Sequence, residues 1–231
     1  MPAPKAKRVD VPGDKVTKRG MARRSPKGDK MRARILDAAE QLYAAHGFEA
    51  VSQRDVAEEA GVLSSLITHH YPSKLSLFEA VAGRRSDEIN RLRTEQLEAI
   101  TELTVENILD AFFLPLVDLV EHGGPGWIAY TQIMSKLVYS DIGIKVDTIY
   151  YQNIVRRFLT LLKSAMPEVD EFILTRAFLC CIDMLLISIF LPGRFQEIMA
   201  LNQRAIKQEQ GYSQAYAALR PFLLGGLEAL R

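Results

Sequence analysis

Residues 52–74 run Ser52-Gln-Arg-Asp-Val-Ala-Glu-Glu-Ala-Gly61-Val-Leu-Ser-Ser-Leu-Ile-Thr-His-His-Tyr-Pro72-Ser-Lys74, two short helices around a tight turn. Ser52 is a good N-cap, and Asp55 three residues on completes a capping box. Val56, Ala57 and Ala60 give a small apolar face at helical spacing. Gly61 is placed to end that helix in a left-handed cap. A second helix is expected from Ser64 to about His70, stopped by Pro72. Helix, glycine-containing turn, helix is the DNA-binding helix-turn-helix unit, whose second helix enters the major groove.

Working outward, a first helix is expected from about Lys30 to His46, with Ile35, Leu36, Ala39, Leu42 and Tyr43 inward and Gly47 ending it. Arg32 and Arg34 near its start either touch the nucleic-acid backbone or sit in solvent. Ser73 caps a further helix, read as one element from Lys74 to about Ile100, with Leu77, Phe78, Val81, Ile89 and Leu92 as its apolar stripe. Upstream, residues 1–28 mix Lys, Arg, Gly, Pro and Ser without period and read as a disordered basic arm. Such an arm is either a solubilising tail or a strand laid along phosphates or in the minor groove.

The formal net charge of +1 hides an asymmetry. Residues 1–34 carry 12 Lys/Arg against three Asp, a net of +9; the remainder carries 17 against 25 Asp/Glu, a net of −8. A basic end on an acidic body places the polyanion-facing surface at the N-terminus.

The span from about Arg34 to Val81 closely resembles the DNA-binding domain of the TetR family of transcriptional repressors. The resemblance rests on Ile35, Ala38, Ala39, Leu42, Gly47 and Phe48, then Ser52, Arg54, Val56, Ala57 and Ala60-Gly61-Val62, and finally Tyr71-Pro-Ser-Lys74 with Leu77. It implies an all-α protein: a three-helix helix-turn-helix domain over 29–80, joined by a long helix to a helical effector-binding and dimerisation domain over 81–231. It also implies a homodimer, formed through C-terminal helices at about 167–191 and 212–230. Three positions depart from the common pattern: Leu63 for a Ser or Thr cap, Ser65 for a Gly, and Thr68 for a Tyr.

The DNA-contact candidates are Gln53, Arg54, Ser64, Ser65, Thr68, His69, His70 and Lys74. Lys74 sits in the first turn of its helix, where its charge joins free backbone N–H groups to make a phosphate site. Arg54 has the reach for a phosphate or a guanine edge, Gln53 for an adenine or a phosphate, and Thr68 for a thymine methyl or a phosphate. Ile67 and Tyr71 are expected in the core. His69-His70 lacks further ligands at metal spacing, so no metal site is expected. His122 is read as a helix C-terminal residue.

From Thr101 on, only helical patterns appear: Val105–Glu121, Trp127–Tyr139, Ile144–Ala165, Pro167–Leu191 and Tyr212–Ala229, with a further short helix over 195–208. Phe112, Phe113, Leu116, Trp127, Tyr130, Met134, Phe158 and Met184 are the candidate walls of an apolar effector pocket. Pro115 is placed to kink its helix. Asp183, inside an apolar run, is expected to pair with Arg156, Arg157 or Arg176, ahead of binding a ligand or facing a dimer seam. The neighbouring Cys180 and Cys181 do not suit a structural disulfide with each other.

The expected function is therefore a transcriptional regulator, a repressor released from a palindromic operator by a small, largely apolar effector. The alternative is a DNA-binding dimer without an effector. No phosphate-binding glycine loop, HExxH, GxSxG or Cys/His cluster supports an enzyme, and no catalytic residue or cofactor is expected. The basic N-terminus lacks the apolar stretch of a secretory signal, and the longest apolar run, Phe178–Leu191, is short for a membrane span and contains Asp183. A soluble, cytoplasmic protein is expected.

Overall fold

The computed structural model describes residues 26–137, 140–190, 197 and 211–231. These form helices α1 (Pro26–Ala50), α2 (Gln53–Ala60), α3 (Ser64–His70), α4 (Lys74–Gly83), α5 (Ser86–Glu98), α6 (Val105–His122), α7 (Pro125–Leu137), α8 (Asp141–Tyr150), α9 (Gln152–Ala165), α10 (Glu171–Phe190) and α11 (Tyr212–Glu228). No strand occurs among the described residues, so the architecture is all-α.

The first three helices follow from local signals. Gly47 (φ 80°, ψ 168°) breaks the regular run of α1 where the sequence places its end. Ser52 Oγ accepts from the Asp55 amide at 3.2 Å while Asp55 Oδ2 accepts from the Ser52 amide at 2.7 Å, a complete capping box. Gly61 (φ 62°, ψ 43°) closes α2 in the left-handed region. Helix α1 starts at Pro26, four residues before the expected Lys30, because proline's fixed φ and missing N–H suit a first helical position. Residues 26–28 thus leave the expected arm for the helix; residues 1–25 lie outside the described part.

Four boundaries in the body differ from the expectation. The expected helix Lys74–Ile100 is two helices, α4 and α5, separated at Arg84 and Arg85. Ser86 Oγ donates to the Gly83 carbonyl at 2.7 Å, and both arginines reach back to carboxylates of α1. The apolar period runs across the break and conceals it. Likewise 144–165 divides at Tyr151 (φ −121°, ψ −17°) into α8 and α9, and α8 starts earlier, capped by Ser140 Oγ accepting from the Gly143 amide at 3.0 Å. Helix α10 begins at Glu171 rather than Pro167, with Asp170 Oδ1 accepting from the Phe172 and Ile173 amides. Helix α7 is described to Leu137, short of the expected Tyr139, and the expected short helix over 195–208 lies outside the described residues apart from Glu197. Pro115 sits buried within α6, whose helix runs through it from Val105 to His122.

One continuous core joins the two ends of the molecule. At the DNA-binding end Ile35, Val56, Ile67, Leu77 and Val81 are fully buried. In the body Phe112 makes edge-on contacts with Phe113, Phe158 and Phe178 at ring separations of 5.0–5.1 Å. Helix α1 packs along α7, and α6 is flanked by α5, α9 and α11. The two cysteines are free, Cys180 exposed and Cys181 buried. Among the described residues no helix is long and apolar enough to cross a membrane.

Candidate DNA-binding surface and internal cavity

Helix α3 is held by its inner residues and leaves its outer face open. Ile67 and Tyr71 are buried, as their spacing predicts, whereas Ser64, Ser65, Thr68, His69 and His70 are exposed. Two side chains tie the end of α3 to its neighbours: Gln53 Nε2 donates to the Tyr71 carbonyl at 2.8 Å, and Arg32 Nε donates to the Tyr71 hydroxyl at 3.0 Å. Gln53 therefore has a structural task beside any contact to a base. Arg34 donates to the Ala60 carbonyl at 2.6 Å, satisfying the C-terminus of α2. A Cβ at Gly61 would meet that guanidinium at 3.2 Å, a second reason for glycine there besides its positive φ.

Arg54 is exposed at the start of α2. Lys74, in the first turn of α4, donates to the Glu49 carbonyl at 2.9 Å and lies 4.5 Å from the centre of the Phe48 ring. Its ammonium is thereby fixed against Glu49 and Phe48. The exposed Thr68 donates its hydroxyl to the Ser64 and Ser65 carbonyls of its own helix. Leu63, at the N-cap of α3, is 77% exposed beside this face. Sequence reasoning treated it only as a missing cap; as an apolar side chain next to the outer face it is a further contact candidate. Among the described residues no group of His, Cys, Asp and Glu gathers that could hold a metal ion, and His122 closes α6 with its ring nitrogen on Asp118.

The body encloses a cavity of about 270 Å³ between α5, α6, α7, α8, α9 and α10. Of the eight expected walls it brings together Phe112, Phe113, Leu116, Tyr130 and Met134. Three expected walls lie elsewhere. Trp127 is buried against Tyr130 (5.5 Å, nearly perpendicular) and beneath the Arg85 guanidinium. Phe158 is fully buried behind Phe112. Met184 turns outward and is 38% exposed, whereas α10 lines the cavity with Leu179, Ile182, Asp183, Leu185 and Leu186.

The polar groups of the cavity were not expected there. Arg93 is 6% exposed, four residues after buried Ile89, while the anticipated Leu92 is only half-buried. Its Nε donates to the Phe112 carbonyl at 3.0 Å, and its guanidinium lies 3.8 Å from the Phe112 ring centre. Burial lowers its pKa to about 10, which still leaves it charged at neutral pH. The Tyr130 and Tyr151 hydroxyls are hydrogen-bonded to each other, and burial pushes Tyr130 up to about 12.

Among the described residues Asp183 forms no ion pair with an arginine. Arg157 binds Glu98 and Thr94, and Arg176 lies over Phe172. Asp183 instead lines the cavity together with Asp147. Asp147 opens to solvent at the mouth but is crowded by protein elsewhere; this desolvation first, and the Asp183 charge second, push its carboxyl up to about 6.

The cavity is wired to the DNA-binding end. From Tyr130 the path runs to Trp127, to Arg85, and to Glu40 of α1, which accepts two hydrogen bonds from Arg85 at 2.7 and 2.8 Å. A second connection starts beside Tyr151. The Tyr150 hydroxyl donates to the Glu79 carbonyl of α4 at 3.1 Å, and Asn90 of α5 donates to the Tyr150 carbonyl at 2.7 Å. A Cβ at Gly83 would stand 2.6 Å from the Tyr150 ring, so glycine permits this approach. Lys136 of α7 adds a contact to the Ala44 and Ala45 carbonyls near the end of α1.

Comparisons with known proteins agree with this architecture. Residues 35–81 match the family described as bacterial regulatory proteins, tetR family, and residues 110–226 match the tetracyclin repressor-like C-terminal domain. The chain is 29% identical over 101 residues to the HTH-type transcriptional activator FasR of Mycolicibacterium smegmatis, covering 43% of this chain and 44% of that protein. It is 40% identical over 50 residues to the HTH-type transcriptional repressor KstR2 of Rhodococcus jostii, covering 22% of this chain and 24% of that protein. The matches thus span less than half the length of these curated relatives. In fold it is similar to the fatty acid degradation regulator FadR from Bacillus halodurans (TM-score 0.58, 16% identity, 84% of this chain and 98% of that chain). It is similar also to the ketosteroid transcriptional regulator KstR2 of Mycobacterium tuberculosis (TM-score 0.53, 16% identity, 84% and 93% covered). With both its DNA-binding and its C-terminal region matched, the C-terminal match alone covering just over half of the chain, the protein belongs to the TetR family of bacterial helix-turn-helix transcriptional regulators.

Proposed function

We propose that the protein is a homodimeric repressor that occupies a palindromic operator and leaves it when a small, largely apolar effector fills the cavity of the body. Residues 29–80 act as the DNA-binding unit and 81–231 as the effector and dimerisation unit. The observation that carries the reading is the outer face of α3: Ser64, Ser65, Thr68, His69 and His70 stand exposed on a helix fixed from behind by Ile67 and Tyr71. Arg54 and Lys74 flank it as phosphate contacts, which position the protein while α3 reads base edges.

Dimerisation is supported by apolar surface on the C-terminal helices. Phe172, Ile173, Met184 and Ile187 on α10 and Phe222 on α11 are 37–69% exposed, and α10 packs against α11. Gly225 and Gly226 of α11 have no atom within 4 Å of the position a Cβ would take, leaving room for close approach. A patch of this kind marks an interaction surface, and a two-fold dimer matches two half-sites. An effector that prefers a body conformation in which α1 and α4 are tilted away from the operator spacing shifts the population off DNA. The Tyr130–Trp127–Arg85–Glu40 path and the Tyr150 contacts carry that tilt.

Selection of bound DNA from a random pool, run beside a measurement of mass in solution, tests the reading. A recovered palindrome from a dimer supports it, and a promoter carrying that site falls in output when the protein is present. A folded dimer that enriches no sequence overturns it, and rising output from the selected promoter makes the protein an activator.

A further inference from the structure

We propose that Arg93, with the Tyr130–Tyr151 hydroxyl pair, is an anion-binding floor of the cavity, and that the effector is an apolar monocarboxylic acid whose carboxylate rests there. This rests on the reading of the cavity as the effector site. Arg93 is a buried guanidinium lining the cavity, with one hydrogen bond, from Nε to the Phe112 carbonyl, and no ion pair to a carboxylate among the described residues. Burying a charge without a counter-ion is costly, and a stacked guanidinium with unused N–H groups is suited to a planar carboxylate.

The neighbouring tyrosines point the same way. Both hydroxyls are held protonated by burial, and a pair sharing one hydrogen bond retains one further proton to donate. The floor therefore offers donors from three side chains, and the other walls near it, among them Phe113, Leu116 and Leu185, are apolar.

Two carboxylates in the lining restrict the choice. Asp147 and Asp183 line the same cavity: neither is among the charges acting on Arg93, whereas Asp147 acts on both Tyr130 and Tyr151. A ligand with a second carboxylate would add a like charge beside these two. A volume of about 270 Å³ lies at the small end of ligand pockets. One anionic group and a compact apolar body satisfy all three constraints.

The test measures binding of four probes of one chain length, decanoate, 1-decanol, decylamine and decanedioate, by calorimetry and by the emission of Trp127, the single tryptophan, which touches Tyr130. Decanoate is expected to bind at least tenfold more tightly than decanol and than decanedioate. Arg93→Gln should bring decanoate down to the level of decanol and leave decanol unchanged; Tyr151→Phe should weaken decanoate alone, severalfold. Arg93→Lys, which keeps the charge, should retain part of the preference. Equal binding of acid and alcohol by the native protein overturns the Arg93 assignment while leaving the cavity as a ligand site, and needs no variant to fold. So does a gap that survives in Arg93→Gln. Preference for decylamine moves the polar subsite to Asp147 and Asp183 and overturns the proposal. Failure of all four probes to bind overturns both the proposal and the effector reading beneath it.

Discussion

The Arg85 guanidinium grips the Glu40 carboxylate with two hydrogen bonds, at 2.7 and 2.8 Å, across the boundary between α5 and α1. Glu40 is 1% exposed, and the other face of Arg85 lies 4.9 Å from the Trp127 ring centre. Two charges and an indole thus meet where the DNA-binding helices join the body. Removing Arg85 leaves the buried Glu40 carboxylate with only the longer contact to Arg84 at 3.8 Å, which costs about 3 kcal/mol. Arg85→Ala is therefore expected to lower stability by about that amount in denaturant titration. The double variant Arg85→Ala, Glu40→Ala should recover part of the loss. Additive losses would show that the pair is not coupled.

Lys74 is already held in place by the Glu49 carbonyl and the Phe48 ring. Lys74→Ala should weaken binding to every DNA sequence alike and lower the slope of log affinity against log salt by about one. Unchanged affinity at all salt concentrations would remove Lys74 from the interface.

The first 25 residues hold much of the basic excess of the N-terminal end. Their deletion should leave the melting temperature unchanged and reduce DNA affinity at low salt, with the difference fading as salt rises. An affinity equal to that of the full chain at every salt concentration would make the segment a solubilising tail.

Asp147 supplies a pH dependence with a definite sign. Its carboxyl is raised from 3.8 to about 6 in the fold, so between these values the native state holds the proton and the unfolded chain has lost it. Stability from this group consequently falls as pH rises from about 4 to 6 and stays reduced above. Asp147→Asn should gain stability relative to the parent across that interval, and Asp183 should contribute in the same direction, since burial raises its carboxyl too. A stability difference that is flat from pH 4 to 7 would contradict the assignment.

Much of the DNA-binding end was legible because its signals are local. Ser52 with Asp55, Gly61 and Ser73 are capping chemistry, and each sits where the sequence placed it. The body was less legible for reasons of geometry. The break at Arg84 and Arg85 has one local signal, Gly83, which the apolar period outweighs, and both arginines bind carboxylates some 45 residues upstream that the local sequence does not reveal. Arg93 stands in a charged run and reads as solvent-facing, yet the turn of α5 after that break carries it inward. Trp127, Phe158 and Met184 have the right residue types for a pocket wall. Whether such a residue lines a void, fills a core or faces outward depends on helix rotation, and periodicity gives that only to within a face. Asp183 was recognisable as unusual, and its partner, the second carboxylate Asp147, lies on a different helix.

The outer face of α3 carries the central claim, and one measurement addresses it directly. With the selected operator in hand, the affinity of the native protein and of the variant Ser64→Ala, Thr68→Ala, His69→Ala would be measured against that site and a scrambled one. Each base contact is worth about 1–3 kcal/mol of discrimination. The triple variant is expected to lose about a hundredfold or more of its preference for the operator, while its affinity for scrambled DNA stays within about twofold. A preference retained in full would show that the operator is read by another surface.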